Sequence, residues 1–152
     1  MLAEPYYAKA VAYQKNSQPV KSADFYLKAY NYSKECDNHK TAIKSANNLG
    51  VLYRSIQQNE NAKKWYLNAF RLSNQTNDVY GQAHSLINLG GLSYKSKNYT
   101  QAIDYYNSAI SIMKSKKIVD KLSSALVNKA LTFHKIGYPD SALLIYEQAL
   151  EV

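Results

Sequence analysis

Ala62-Lys63-Lys64-Trp65-Tyr66-Leu67-Asn68-Ala69-Phe70 decides the fold, because its pattern returns 40 residues later as Ala102-Ile103-Asp104-Tyr105-Tyr106-Asn107-Ser108-Ala109-Ile110. One further step of 40 in either direction reaches Tyr26 and Tyr146, flanked by Ala29 and Ala149. Three more columns hold the same register: Ser22, Ala62, Ala102, Ala142; Phe25, Trp65, Tyr105, Ile145; and Tyr30, Phe70, Ile110, Leu150. Within one unit these positions form the i, i+4, i+7, i+8 stripe of an amphipathic helix. The small residues let a neighbouring helix approach, and the aromatic fills the space between. A fixed period of this size marks a stacked array of small supersecondary units rather than one irregular core.

A second helix precedes each of these. Its columns include Ala46, Leu86, Leu126, then Leu49 and Leu89, then Ala10, Gly50, Gly90, Ala130. Tyr13, Tyr53 and Phe133 follow one turn later, with Ser93 in the third unit and its aromatic displaced to Tyr94. Pro19 and Pro139 share a column suited to the first position of a helix, and Gly137 suits a left-handed helix end. The pattern predicts helices near 3–15, 20–35, 39–56, 60–75, 79–96, 100–116, 119–136 and 139–152, in units of about 3–37, 38–77, 78–117 and 118–152. These columns place Trp65 and the tyrosines of the repeat in the core.

The chain has 152 residues, 46% of them apolar, which suffices for a core. No stretch approaches the ~18 apolar residues a membrane span needs, and no export signal is visible. The cytoplasm is favoured, with the periplasm open if the parent is a sensor kinase. Cys36 is the single cysteine and can form no internal disulfide. The net charge of +8 comes from 17 Lys, 2 Arg (Arg54 and Arg71) and 11 acidic residues. Base readout favours arginine, so this balance argues against a dedicated nucleic-acid reader and for a solvated lysine surface or an acidic partner.

The residues of the second unit, Leu49-Gly50, Tyr53, Ala62, Tyr66 and Ala69, and of the third, Leu89-Gly90, Ala102, Tyr106 and Ala109, resemble the tetratricopeptide repeat. The resemblance covers nearly the whole chain. The first and fourth units depart from it with Lys9-Ala10 and Lys129-Ala130. The period is 40 instead of 34, and Lys34, Asn74 and Lys114 replace the family's helix-ending proline, as in its extended subclass. The resemblance implies an all-α, right-handed α-solenoid of about four helix hairpins, coiled as an αα superhelix, with the first helix of each hairpin lining a concave groove.

It places Tyr7, Val11, Gln14 and Lys15 in that groove, then Lys44, Asn47, Val51, Arg54 and Ser55. The third unit contributes His84, Ile87, Gly91, Tyr94 and Lys95, and the fourth Ser124, Val127, Leu131, His134 and Lys135. Asn48, Asn88 and Asn128 stand one residue before the Leu-Gly column. Each amide offers two donors and one acceptor, so a row of them could grip an extended peptide backbone, as in superhelical members of the family. The alternative is that they tie the first helix to a neighbouring helix; both readings stay open. Lys15, Lys44, Arg54, Lys95 and Lys135 favour an acidic segment. His84 and His134 have no companion at metal-ligand spacing; as groove positions they suit polar contact or a mild pH response, and the plain reading is that they are exposed bystanders.

No nucleophile motif, phosphate loop or paired carboxylate is present, and no cofactor or metal is implied. The expectation is a non-catalytic module binding a peptide or partner segment in the groove, as the sensing or scaffolding part of a bacterial signalling or regulatory protein. An electrostatic nucleic-acid binder and a structural self-assembly unit are the alternatives. Ala142, Leu143, Ile145 and Leu150 leave the last helix without a polar outer face. A longer parent protein, or end-to-end pairing of copies through that helix, is expected from it.

Overall fold

In a computed structural model that describes residues 2–152, every regular element among those residues is an α-helix. They run α1 (Ala3–Lys15), α2 (Pro19–Glu35), α3 (His39–Ser55), α4 (Asn59–Gln75), α5 (Val79–Lys95), α6 (Tyr99–Ser115), α7 (Leu122–Lys135) and α8 (Pro139–Leu150). The chain forms two compact units, Met1–Gly81 and Gln82–Val152. In the first unit α1 packs on α2, α2 on α3 and α3 on α4, while α1 also touches α3. In the second, α6 packs on α7 and α7 on α8.

The columns set the cores. Tyr26, Tyr66, Ala29, Ala69, Ala62 and Ala102 are fully buried, and Tyr106 and Ala142 nearly so. A Cβ added to Gly50 would fall well inside contact distance of the Tyr66 ring, and one on Gly90 would meet Tyr106 Cε1 at 2.5 Å. Glycine there lets the tyrosine ring lie flat on the backbone of the preceding helix. Ser22, where the later units carry alanine, donates its hydroxyl to Ala10 O at 2.9 Å. Two placements need correction. Tyr146 is only half-buried, and so is Trp65, whose indole sits edge-on to Tyr30 at 5.2 Å between ring centres.

The helices end in a repeated left-handed turn. Ser17, Asp37, Gln57, Asn77, Lys97 and Lys117 take φ of 53–62°, and Gly137 takes 89°. The residue after each closes the helix end: Gln18 N–H donates to Tyr13 O at 3.0 Å, Asn38 to Ser33 O at 2.8 Å and Gln58 to Tyr53 O at 2.9 Å. This double closure satisfies carbonyls that a helix terminus leaves open. Asn38 and Asn98 then cap the next helix through Thr41 N and Gln101 N.

Helix boundaries agree with the sequence pattern within two residues, except at α7. That helix begins at Leu122 instead of 119, because Lys121 at φ 62° is its left-handed N-cap and Val119 and Asp120 belong to the turn before it.

Candidate binding surface on the first helix of each hairpin

In the first unit, α1 and α3 supply the predicted groove positions. Asn48 is half-buried, and its Nδ2 donates to the Tyr7 hydroxyl at 3.0 Å across the two helices. The Tyr7 ring meets Tyr26 edge-on at 5.6 Å, and the Tyr26 hydroxyl donates to Gln14 Oε1 at 2.7 Å. Burial raises the Tyr7 and Tyr26 phenols above the ordinary tyrosine value, while hydrogen bonding to Asn48 pulls the other way. Both hydroxyls therefore stay protonated and act as fixed hydrogen-bonding groups around the amide.

Asn47, one residue earlier, points the other way. It is 1% exposed and its amide donates to Ile43 O at 3.3 Å, so a helix rotation of one residue removes it from the surface. Lys44 is exposed and Arg54 half-buried. The Arg54 guanidinium lies close enough to Tyr66 to oppose burial, which pushes that phenol up to about 12. The Tyr66 hydroxyl is buried without a hydrogen-bond partner. Beside this line, Gln14, Ser17, Pro19, Val51, Leu52 and Ser55 surround a half-open cavity of about 370 Å³.

In the second unit, Asn88 and Asn128 are half-buried on α5 and α7. Tyr94 is half-buried against Tyr99, edge-on at 5.5 Å. Lys95, His134 and Lys135 are exposed in the last turns of their helices, where positive charge suits the carbonyl end. His84 departs from its reading as an exposed bystander: it is half-buried, with Nε2 3.1 Å from Lys121 Nζ. Burial first, then the Lys121 charge, lowers its pKa to about 4. His84 is thus neutral at pH 7 and accepts from the ammonium group. Lys121 escaped the sequence reading because it lies 37 residues from His84, and no local pattern pairs the two.

Among the described residues no group of three or more His, Cys, Asp or Glu side chains could hold a metal, and no helix is long and apolar enough to cross a membrane.

The tetratricopeptide repeat pattern matches residues 41–115 and 83–152, and the chain belongs to this family. It is an all-α solenoid of helix hairpins, a repeat fold that is generally a non-catalytic interaction scaffold. The chain is similar to the human protein O-mannosyl-transferase TMTC1, 33% identical over 70 residues that cover 46% of this chain and 7% of that protein. Aspartyl phosphate phosphatase F from Bacillus subtilis shares the fold at TM-score 0.92 and 20% identity, over 98% of this chain and 39% of that one. So does the Rap conjugation gene regulator of the plasmid pLS20, solved in complex with the Phr* peptide, at TM-score 0.84 and 19% identity, over 98% and 41%. The chain spans less than half the length of each of these three.

Proposed function

We propose that this chain is a non-catalytic peptide-binding module whose ligand, an acidic segment, lies along the first helices of the hairpins. The observation that carries the reading is the convergence in the first unit. Gln14, Val51 and Ser55, all groove positions by sequence, line the cavity of about 370 Å³. The amide of Asn48 is tied to Tyr7 on the adjacent helix, the helix-joining role left open for this column, so the cavity and not that amide carries the reading. A half-open cavity with an apolar floor and a few fixed polar groups suits a side chain of a bound peptide. Exposed Lys15 and Lys44, on the same two helices, supply the attraction for carboxylates. A peptide-bound neighbour of the same fold supports the choice of ligand, and the phosphatase and gene-regulator names of the neighbours support a role in signalling.

Panning a displayed random-peptide library on the full chain tests the proposal. Acidic sequences should be enriched, and their binding should weaken about tenfold in Lys15→Glu with Lys44→Glu. No enrichment, or enrichment indifferent to these changes, would overturn the reading.

A further inference from the structure

The cavity of about 370 Å³ lies between the α1–α2 joint and the end of α3, so its walls come from successive hairpins. Pro19, Val51 and Leu52 give it an apolar lining, and Gln14, Ser17 and Ser55 are its polar groups. None of these lining residues carries a charge. What the cavity can recognise therefore depends on which way its hydrogen-bonding groups face.

Gln14 is held in one orientation. The buried Tyr26 hydroxyl donates to Gln14 Oε1 at 2.7 Å. Burial keeps that phenol protonated far above neutral pH. The Asn48 amide, which donates to the Tyr7 hydroxyl at 3.0 Å, hydrogen-bonds the Tyr26 phenol as well. A phenol oxygen that accepts from Asn48 commits its single proton to Gln14. With Oε1 taken up in this way, the Gln14 amide has its NH2 group to offer the cavity, as a donor.

Ser55 is the complement. Its hydroxyl donates to Leu52 O at 2.7 Å in the last turn of α3, so it has lone pairs to offer a ligand. Ser17 sits in the left-handed turn at φ 54°, and its hydroxyl can rotate to donate or accept. The polar pattern is one fixed donor, one fixed acceptor and one adaptable group on an uncharged apolar wall.

We propose that the cavity is a carboxamide pocket, taking a glutamine or asparagine side chain whose C=O accepts from Gln14 Nε2 and whose NH2 donates to Ser55 Oγ. This rests on the peptide-binding reading above and divides the work. Lys15 and Lys44 attract the acidic segment, and the cavity reads a neutral amide within it. A volume of about 370 Å³ admits leucine, glutamate and glutamine alike, so hydrogen bonds decide among them. Leucine leaves the Gln14 NH2 without a partner. A carboxylate brings two acceptors, and the second meets the Ser55 lone pairs unless that hydroxyl abandons its helix bond. An ammonium group meets the Gln14 donor, with no carboxylate in the lining to compensate its burial. Tyr26 acts through Gln14 and is a positioning residue.

Sequencing the peptides enriched on the full chain tests this. The acidic pool should align on one glutamine or asparagine. In synthetic peptides from that pool, glutamate or leucine at this place should weaken binding about tenfold. Gln14→Glu still accepts the Tyr26 proton but offers the cavity only lone pairs, so the selected residue should change to lysine or arginine. Ser55→Ala should erase the discrimination against glutamate. Tyr26→Phe lets the amide turn over and should relax the discrimination against lysine, each variant keeping its circular dichroism. Acidic peptides enriched without an amide column would overturn the pocket and leave the peptide reading standing. A Gln14→Glu protein that still selects glutamine would overturn it too. If no peptide is enriched, an NMR titration with N-acetyl-glutamine N-methylamide decides. A shifted Gln14 NH2 signal keeps the carboxamide pocket although the peptide reading falls, and an unshifted one ends both.

Discussion

Hairpins α1–α2 and α3–α4 hold the same buried tyrosine in two ways. In the second of them Gly50 lets the Tyr66 ring lie on the helix backbone, and the hydroxyl ends without a partner near Arg54. In the first, Ala10 occupies the glycine column, and the Tyr26 hydroxyl donates to Gln14. Both rings are fully buried. The repeat therefore fixes where the ring goes, and each hairpin settles separately what its polar tip does.

The largest expected effect lies where a column changes character altogether. Lys44 is exposed, but His84, 40 residues on, is half-buried beside Lys121. The folded state lowers the His84 pKa from 6.5 to about 4, so the unfolded chain takes up a proton first as pH falls. Stability is full well above pH 6.5 and declines between pH 6.5 and about 4, by on the order of 3 kcal/mol. Denaturant melts at several pH values should show this decline in the wild type, and His84→Asn should flatten it. A wild-type curve already flat over that window would place His84 in water.

Next is the glycine column itself. Gly50→Ala gains about 1 kcal/mol of helix propensity but must displace a buried ring, at a cost of about 1–3 kcal/mol. A net loss of about 1 kcal/mol in thermal melting is expected. Ala10→Gly, the reverse change in the other hairpin, should lose about 1–2 kcal/mol, through backbone entropy and the lost burial of its methyl group. A stabilised Gly50→Ala protein would show that the ring moves aside freely.

The polar tips sharpen the contrast further. Tyr26→Phe should cost about 1 kcal/mol through the lost bond to Gln14, whereas Tyr66→Phe should be neutral or stabilising. Equal losses in chemical denaturation would mean that both hydroxyls are satisfied. The smallest effect concerns a turn: Gln57→Gly relieves a left-handed side chain at φ 62° and should add about 0.5 kcal/mol, read as a rise in Tm.

The buried faces were legible because Tyr26, Tyr66 and Tyr106 keep one spacing and small residues flank them. The turns were legible in place but not in backbone: apart from Gly137, Asp37 and Asn77, the left-handed positions hold Ser, Gln or Lys, residues that give no signal of that conformation. The α7 start at Leu122 was missed for the same reason, since Lys121 reads as an ordinary helical lysine. Site residues were legible only to within a helix face. Asn47 and Asn48 are neighbours in sequence, yet one is sealed in the core and the other reaches Tyr7, a difference of 100° around the axis. The contact of His84 with Lys121 spans 37 residues, and no local pattern announces it.

The left-handed residues recur at intervals of 20, at the joints within hairpins and between them alike. Length, more than residue identity, keeps the columns aligned. Losing or gaining a single residue inside a helix would swing every later side chain off its seat. Excising the stretch from one such joint to the equivalent joint a hairpin later would instead bring together surfaces already shaped for each other. The molecule is thus brittle to small changes in length and tolerant of whole-module ones.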